Sequence, residues 1–329
     1  MILRAFGILA VILIACPLWA ADPKPVRLIF DTDIMGDVDD VGTVALLHAL
    51  ASRGEVQILA MGVSAKNPWC PLCLDALNTY FGKPDIPLGV VKGPAHSKPS
   101  KYAQGIAEEF PHALKSAEEA PDAALLYRQV LAAQEDNSVI LVSVGQLTNF
   151  RNLLQTGSDQ HSELNGVGLV KRKVRVWVCM GGKFPAGREA NLINDGPAAA
   201  YAIQNWPTPI IFTGWEIGNE IMTGAGLRKA PENSPVRRAY ELYNGLKDRQ
   251  SWDQTAVLYA VRGLNGGLAG YWDLRSGGRV AVADDGSNAW RDTPDQQHSY
   301  LVKRMSPDKI ASVIEGFMLE SPTGDAKRQ

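Results

Sequence analysis

Between residues 26 and 214, short apolar runs alternate with amphipathic stretches of helical length, and this alternation restricts the chain to one fold class. The runs are VRLIF (26–30), VQILAMGV (56–63), IPLGVV (86–91), SVILVSVG (138–145), VRVWVCMGG (174–182) and PIIFTG (209–214). Between them lie DDVGTVALLHALAS, a helical pattern over 71–82, PDAALLYRQVLAAQ, LTNFRNLLQT and a stretch opening at DGPAAAYAIQ. Strands apolar on consecutive residues bury both faces, which is the signature of a parallel sheet covered by helices on each side. The expected fold is therefore α/β: a single domain over residues 25–320 with a mainly parallel, Rossmann-like central sheet flanked by helices. With 329 residues, 46% of them hydrophobic, the chain supplies a large core for such a domain. Residues 321–329 read as a polar tail.

Two ends of the function space are closed by charge. The net charge is −2 with acids and bases interspersed, so no nucleic-acid or membrane-surface partner is expected. Residues 1–20, MILRAFGILAVILIACPLWA, have one Arg, an apolar run and small residues at the end, and read as a secretory signal peptide. The mature protein is expected to be exported without a transmembrane helix, cut after Ala20 or Ala21; alternatively LIAC acts as a lipobox and leaves a lipoprotein anchored at Cys16. Of the other cysteines, Cys70 and Cys73 in WCPLC have redox-pair spacing but sit where small apolar residues would pack the start of a helix. Cys179 reads as a buried strand residue.

In an open parallel sheet, chemistry collects in the loops at the carboxyl ends of the strands. The polar clusters fall there: DTDIMGDVDD after the first strand, SAKNPW after the second, GQLTN and GGKFPAGREAN after later ones. The first is the densest, with Asp31, Asp33, Asp37, Asp39 and Asp40 in ten residues. Carboxylates so close repel one another unless a cation intervenes, and hard oxygen donors suit calcium or magnesium. Capping of the helix that begins at Asp39 is the simpler use of some of them. LIFDTDIM also resembles the first motif of haloacid-dehalogenase-like phosphatases, in which Asp31 would attack phosphorus and Asp33 protonate the leaving group. That scheme has no use for Asp39 and Asp40, and Met35 stands where Thr or Val is usual.

A second resemblance extends from Asp31 to Val257. DTDIMGDVDD is similar to the signature of the inosine–uridine preferring nucleoside hydrolase family, in its broader bacterial branch, and MGVSAKN, VGQLTN, MGG…EANLINDGPAA and SWDQTAV follow in the family's order. The resemblance implies the nucleoside hydrolase fold and a glycosidase of nucleosidase type: an N-ribosyl hydrolase of ribonucleosides or related ribosides. It implies calcium held by Asp33, Asp40, the carbonyl of Thr148 and Asp253, with Asp31 behind them orienting its neighbour. Asp39, Asn67, Glu189 and Asn191 would hydrogen-bond the sugar hydroxyls, Met180 would pack on the ribose, and Asp33 would act as the base toward water. Members commonly form homodimers or homotetramers. Each of these residues also has a purely local use, as a cap, turn or core residue.

Two departures bear on chemistry. Well-known members carry a histidine just before the last metal-binding Asp, where it helps protonate the departing base; here that residue is Trp252, which can stack on a planar group but not donate a useful proton. Tyr240 and Tyr243 are candidates for the same pocket, and His96 could approach the site from the third strand. The first loop is two residues longer than usual and carries Asp37, to which no role is assigned. A catalytically weak ribose-binding protein that retains the calcium pocket is the alternative reading.

Overall fold

The computed structural model describes residues 24–263, 270–293 and 297–322. The export signal at 1–20, with Cys16, and residues 323–329 of the tail lie outside the described residues. Among the described residues, no helix is long and apolar enough to cross a membrane.

The strands are β1 (Val26–Thr32), β2 (Val56–Val63), β3 (Leu88–Val90), β4 (Val139–Ser143), β5 (Val174–Cys179), β6 (Ala186–Arg188), β7 (Ile210–Phe212), β8 (Met222–Thr223), β9 (Arg249–Gln250), β10 (Trp272–Val282), β11 (Ser287–Asp292) and β12 (His298–Lys303). One 10-stranded sheet runs in the order β3-β2-β1-β4-β5-β7-β12-β10-β11-β6, while β8 and β9 pair separately. From β3 through β12 every neighbour is parallel. The edge built by β10, β11 and β6 is antiparallel. Every apolar run read from the sequence is a parallel strand, and the central ones are apolar on both faces as expected. Leu28 and Phe30 of β1 enter one core while Ile29 enters the other, on the opposite face.

Helix Asp39–Ser52 has the bounds read from the sequence. The next helix, Trp69–Tyr80, begins two residues before Pro71, because a proline in the first turn loses no hydrogen bond. The antiparallel extension was not visible in the sequence. β10, WDLRSGGRVAV, is mostly exposed along its first half, so it has no continuous apolar run. Its function is positional. β11 pairs with β6 through Ala186, Gly187 and Arg188, and Asn288 exchanges two hydrogen bonds of 2.9 Å with the backbone of Lys183. The loop that carries Glu189 is therefore tied to the far edge of the sheet.

Two histidines are held neutral in the core. His48 is stacked on Phe81 with ring centres 4.7 Å apart and bonds Asn78 Oδ1 through Nε2 at 2.8 Å. Burial pushes its pKa down to about 4. His298, accepting the Val280 N–H at Nδ1, is likewise lowered to about 4 by burial. A folded-state pKa below the unfolded one means stability is complete above about pH 6.5 and is lost as the pH falls toward 4. Denaturant unfolding should show His48 alone contributing roughly 2 kcal/mol to the loss between about pH 7 and 5. His48→Gln should remove that share, and an unchanged loss in the variant would contradict it.

Candidate active site

The site forms where the chain leaves β1 and β4, neighbours whose connections run in opposite directions across the sheet, the usual crevice of an open parallel sheet. The two loops touch. A Cβ on Gly145 would lie 2.6 Å from the backbone nitrogen of Asp33, so only glycine allows this approach. The loop after β1 is turned by Ile34, whose φ of 39° is strained for a β-branched residue. Its N–H donates to Asp40 Oδ1 at 3.1 Å, and the Thr32 hydroxyl donates to the same oxygen. The strain is thus maintained by the carboxylate it helps to position.

Asp31 is 1% exposed and lies beneath this loop, outside the cavity lining. Its Oδ2 accepts from the Tyr127 hydroxyl at 2.5 Å and from Asn149 Nδ2 at 2.8 Å. Gly62 of β2 makes the space for that hydroxyl, since a Cβ there would fall 1.6 Å from it. Burial raises the Asp31 carboxyl to about 7. A phosphatase nucleophile would need to face a substrate, and Asp31 does not.

Above it opens a cavity of about 400 Å³ whose lining includes Asp33, Asp37, Asp39, Asp40, Glu189 and Asp253. Asp39 and Asp40 lie in the first turn of helix Asp39–Ser52, and Asp253 in the first turn of helix Trp252–Leu258. Asp39 Oδ2 joins the two helices by accepting the N–H groups of Trp252 at 3.1 Å and Asp253 at 3.2 Å. Asp39, Asp40 and Asp253 each place a carboxylate oxygen within 4.8 Å of the others, and all are buried. Burial, followed by their mutual charge and that of neighbouring aspartates, raises all of these carboxyls well above the usual range. Asp33 lines the cavity beside this group, its Oδ1 accepting the Met35 N–H at 3.3 Å. Burial raises it to about 6, with Lys98 opposing most strongly.

The lining also includes Met180, Glu189 and Asn191. Glu189 caps a short helix, Oε1 accepting from Asn191 N at 2.8 Å and Oε2 from Gly182 N at 3.1 Å, and burial lifts it to about 7. Asn191 donates through Nδ2 to the carbonyls of Val144 and Met180. Trp252 also lines the cavity.

Two residues of the ligand and sugar sets are absent from this lining. Thr148 begins its helix fully buried, its hydroxyl donating to Asp195 at 2.6 Å, and is not part of the lining. Asn67 faces an adjoining hollow, accepting from Trp69 N and donating to Lys98 O, both at 2.9 Å. Of the further candidates, Tyr243 lines the cavity while Tyr240 is core, and His96 is absent from the lining. Cys70, Cys73 and Cys179 are free and buried, with thiols raised by burial, so the CxxC spacing serves packing.

Sequence reasoning missed the basic residues. Lys98, Arg188 and Arg249 all line the cavity. Lys98 packs so closely over Gly36 that a Cβ there would meet its Cε at 2.2 Å, and no local feature of the sequence marked that contact. Arg249 makes a bidentate pair with Asp37, which answers the question of that extra aspartate. Nothing local marked that pair, because its partners are 212 residues apart.

Six carboxylates thus share the cavity with three basic side chains. The donor set is hard oxygen throughout, and burial followed by repulsion among neighbouring aspartates raises the carboxyls of Asp39, Asp40 and Asp253, with Arg249 opposing this only at Asp39. A divalent cation fits that group chemically.

A family model described as inosine-uridine preferring nucleoside hydrolase matches residues 28–305. Compared by sequence with curated proteins, the chain has no significant match. Among solved structures it is similar to an inosine-uridine preferring nucleoside hydrolase from Bacillus anthracis, at 16% identity and TM-score 0.66, covering 89% of this chain and 99% of that one. An inosine-guanosine nucleoside hydrolase is 18% identical with TM-score 0.68, covering 90% and 99%. A purine-preferring ribonucleoside hydrolase from Gardnerella vaginalis is 18% identical with TM-score 0.64, covering 89% and 99%. These likenesses establish the shared fold, and the family match spans most of the chain: the protein belongs to the inosine–uridine preferring nucleoside hydrolase family, metal-dependent enzymes that cleave N-ribosyl bonds.

Proposed function

We propose that the protein is an exported, calcium-dependent hydrolase of ribonucleosides or related ribosides, with Asp33 as the base toward the attacking water. The observation that carries this reading is the buried Asp39, Asp40 and Asp253 group, which shares a single cavity with Asp33, Glu189 and Asn191. Asp39, Asp40 and Asp253 would hold the ion, together with Asp33 where it turns toward them. Bound there, calcium supplies a fixed positive charge that orients water and sugar hydroxyls.

The remaining work falls to the chain. Asp33, buried yet facing the cavity, takes the proton of water as oxygen adds to the anomeric carbon. Glu189 and Asn191 are held rigidly by backbone bonds and present polar groups to the sugar hydroxyls, while Met180 gives the ribose an apolar surface. The carboxylates around the ring stabilise positive charge as it grows on the sugar. Trp252 offers a face to a planar leaving group.

Calorimetry with calcium and ribose, combined with reducing-sugar release from a panel of ribosides, tests the reading. Ribose binding that requires calcium, with hydrolysis abolished by chelation and restored by calcium, is expected. Ribose binding without turnover of any riboside would exclude the hydrolase in favour of a sugar-binding protein.

A further inference from the structure

The cavity has one aromatic wall. Trp215, Tyr243 and Trp252 are the ring-bearing residues of its described lining, and the rest is carboxylate, amide, base or small apolar group. A planar leaving group finds stacking area only there. That wall holds no effective proton donor. The Trp252 indole N–H is used, donating to Trp215 O at 2.8 Å. Burial and the nearby Asp37 push the Tyr243 phenol up to about 12.

A cation stands against the same wall. The Arg249 guanidinium carbon lies 5.1 Å from the Trp252 ring centre and 5.8 Å from that of Tyr243, within cation–π range. Its Nε donates to both Asp37 oxygens at 2.9 and 3.0 Å, its Nη2 to Asp37 Oδ2, and its Nη1 to Gln250 Oε1 at 2.9 Å. Each Nη carries a second N–H that takes no partner in these bonds. Asp37 is itself anchored, since the Tyr102 hydroxyl donates to its carbonyl at 2.6 Å.

We propose that Arg249 is the leaving-group residue: its guanidinium, fixed by Asp37 against Trp252, stabilises the negative charge of a leaving group that departs as an anion. The inference rests on the N-ribosyl hydrolysis proposed above. In the step, the bond from the anomeric carbon to the leaving group breaks and its electron pair departs with the leaving group. Water oxygen bonds to the anomeric carbon and its proton passes to Asp33. The departed anion takes a proton from solvent after release. A guanidinium does not give up its proton in this range, so it acts by charge and not as an acid. The substrate class that follows is a riboside whose leaving group carries its negative charge on a delocalised, oxygen-bearing ring that can accept from a guanidinium.

Aryl ribosides with phenols of graded acidity, p-nitrophenyl riboside being the most activated, test this with the calcium-loaded protein. Arg249→Met should lower kcat/KM on the least acidic phenol on the order of a hundredfold, mostly in kcat. It should leave the p-nitrophenyl compound nearly unchanged, so the dependence on leaving-group acidity steepens. Arg249→Lys should restore part of the loss. If Arg249→Met does not fold, judged by its thermal melt, Asp37→Asn keeps the cation but frees it and should steepen the series partway. Loss by one factor across the whole series, or no loss, would overturn the proposal while leaving ribosidase activity in place. A wild-type protein that cleaves no riboside would remove the underlying reading and this inference together.

Discussion

Asp253→Asn is expected to abolish activity and to remove most of the stabilisation that calcium gives. In the metal-free protein Asp253 is buried against Asp39 and Asp40, and these like charges oppose one another. The amide has almost the same shape and carries no charge, so the metal-free variant should melt above the metal-free wild type. Calcium inverts the order. Binding to the folded state alone adds about 2.7 kcal/mol at a hundredfold excess over Kd, worth several degrees in this domain. The variant, lacking one carboxylate of the group, should gain little. Loss of a charge worth several kcal/mol at the reacting centre lowers turnover on the order of a thousandfold or more. Melting curves in chelator and in calcium, with riboside turnover, check all three; a variant stabilised by calcium as strongly as the wild type would exclude Asp253 as a ligand.

Asp33→Asn should behave differently, and the contrast separates chemistry from metal binding. Asp33 lines the cavity next to the tight carboxylate group and is not one of its three members. The variant should therefore lose less calcium affinity than the Asp253 variant while kcat falls about a hundredfold to ten-thousandfold, the usual cost of losing a positioned base. The pH profile adds a second readout. Burial raises the Asp33 carboxyl to about 6, and the base must be ionised, so wild-type turnover should rise with pH and level off above that value. A bound cation moves the limb lower. The variant has no carboxyl at this position to titrate and should lose the limb. If calcium affinity collapses as completely as in the Asp253 variant, Asp33 belongs with the ligands more than with the base.

How much of this was readable in the chain depends on how local the physics is. A strand buried on both faces must be apolar at consecutive residues, so the strands from VRLIF to PIIFTG declared themselves. β10 did not, because a half-exposed antiparallel strand such as WDLRSGGRVAV needs no such run. The acidic loop after β1 was equally legible, since uncompensated carboxylates are visible by count alone. Asp37 is the instructive exception. It looked like one more carboxylate in that series, and it is the counter-ion of Arg249 from the far end of the chain.

The amino-acid sequence by itself determined the parallel sheet, the loop edge where chemistry collects, and the hard-oxygen character of the site, because each depends on residues adjacent along the chain. Tertiary structure decided that Asp39 joins Asp40 and Asp253, two carboxylates that the resemblance had already placed together. Asp39 and Asp40 meet Asp253 because Asp39 accepts the first N–H groups of a helix more than two hundred residues away. It also separated Asp31 from the cavity, left Asn67 in the next hollow and brought Lys98 and Arg249 in. Those outcomes depend on the packing of distant helices and loops at a sheet edge, and local propensity carries no information about them.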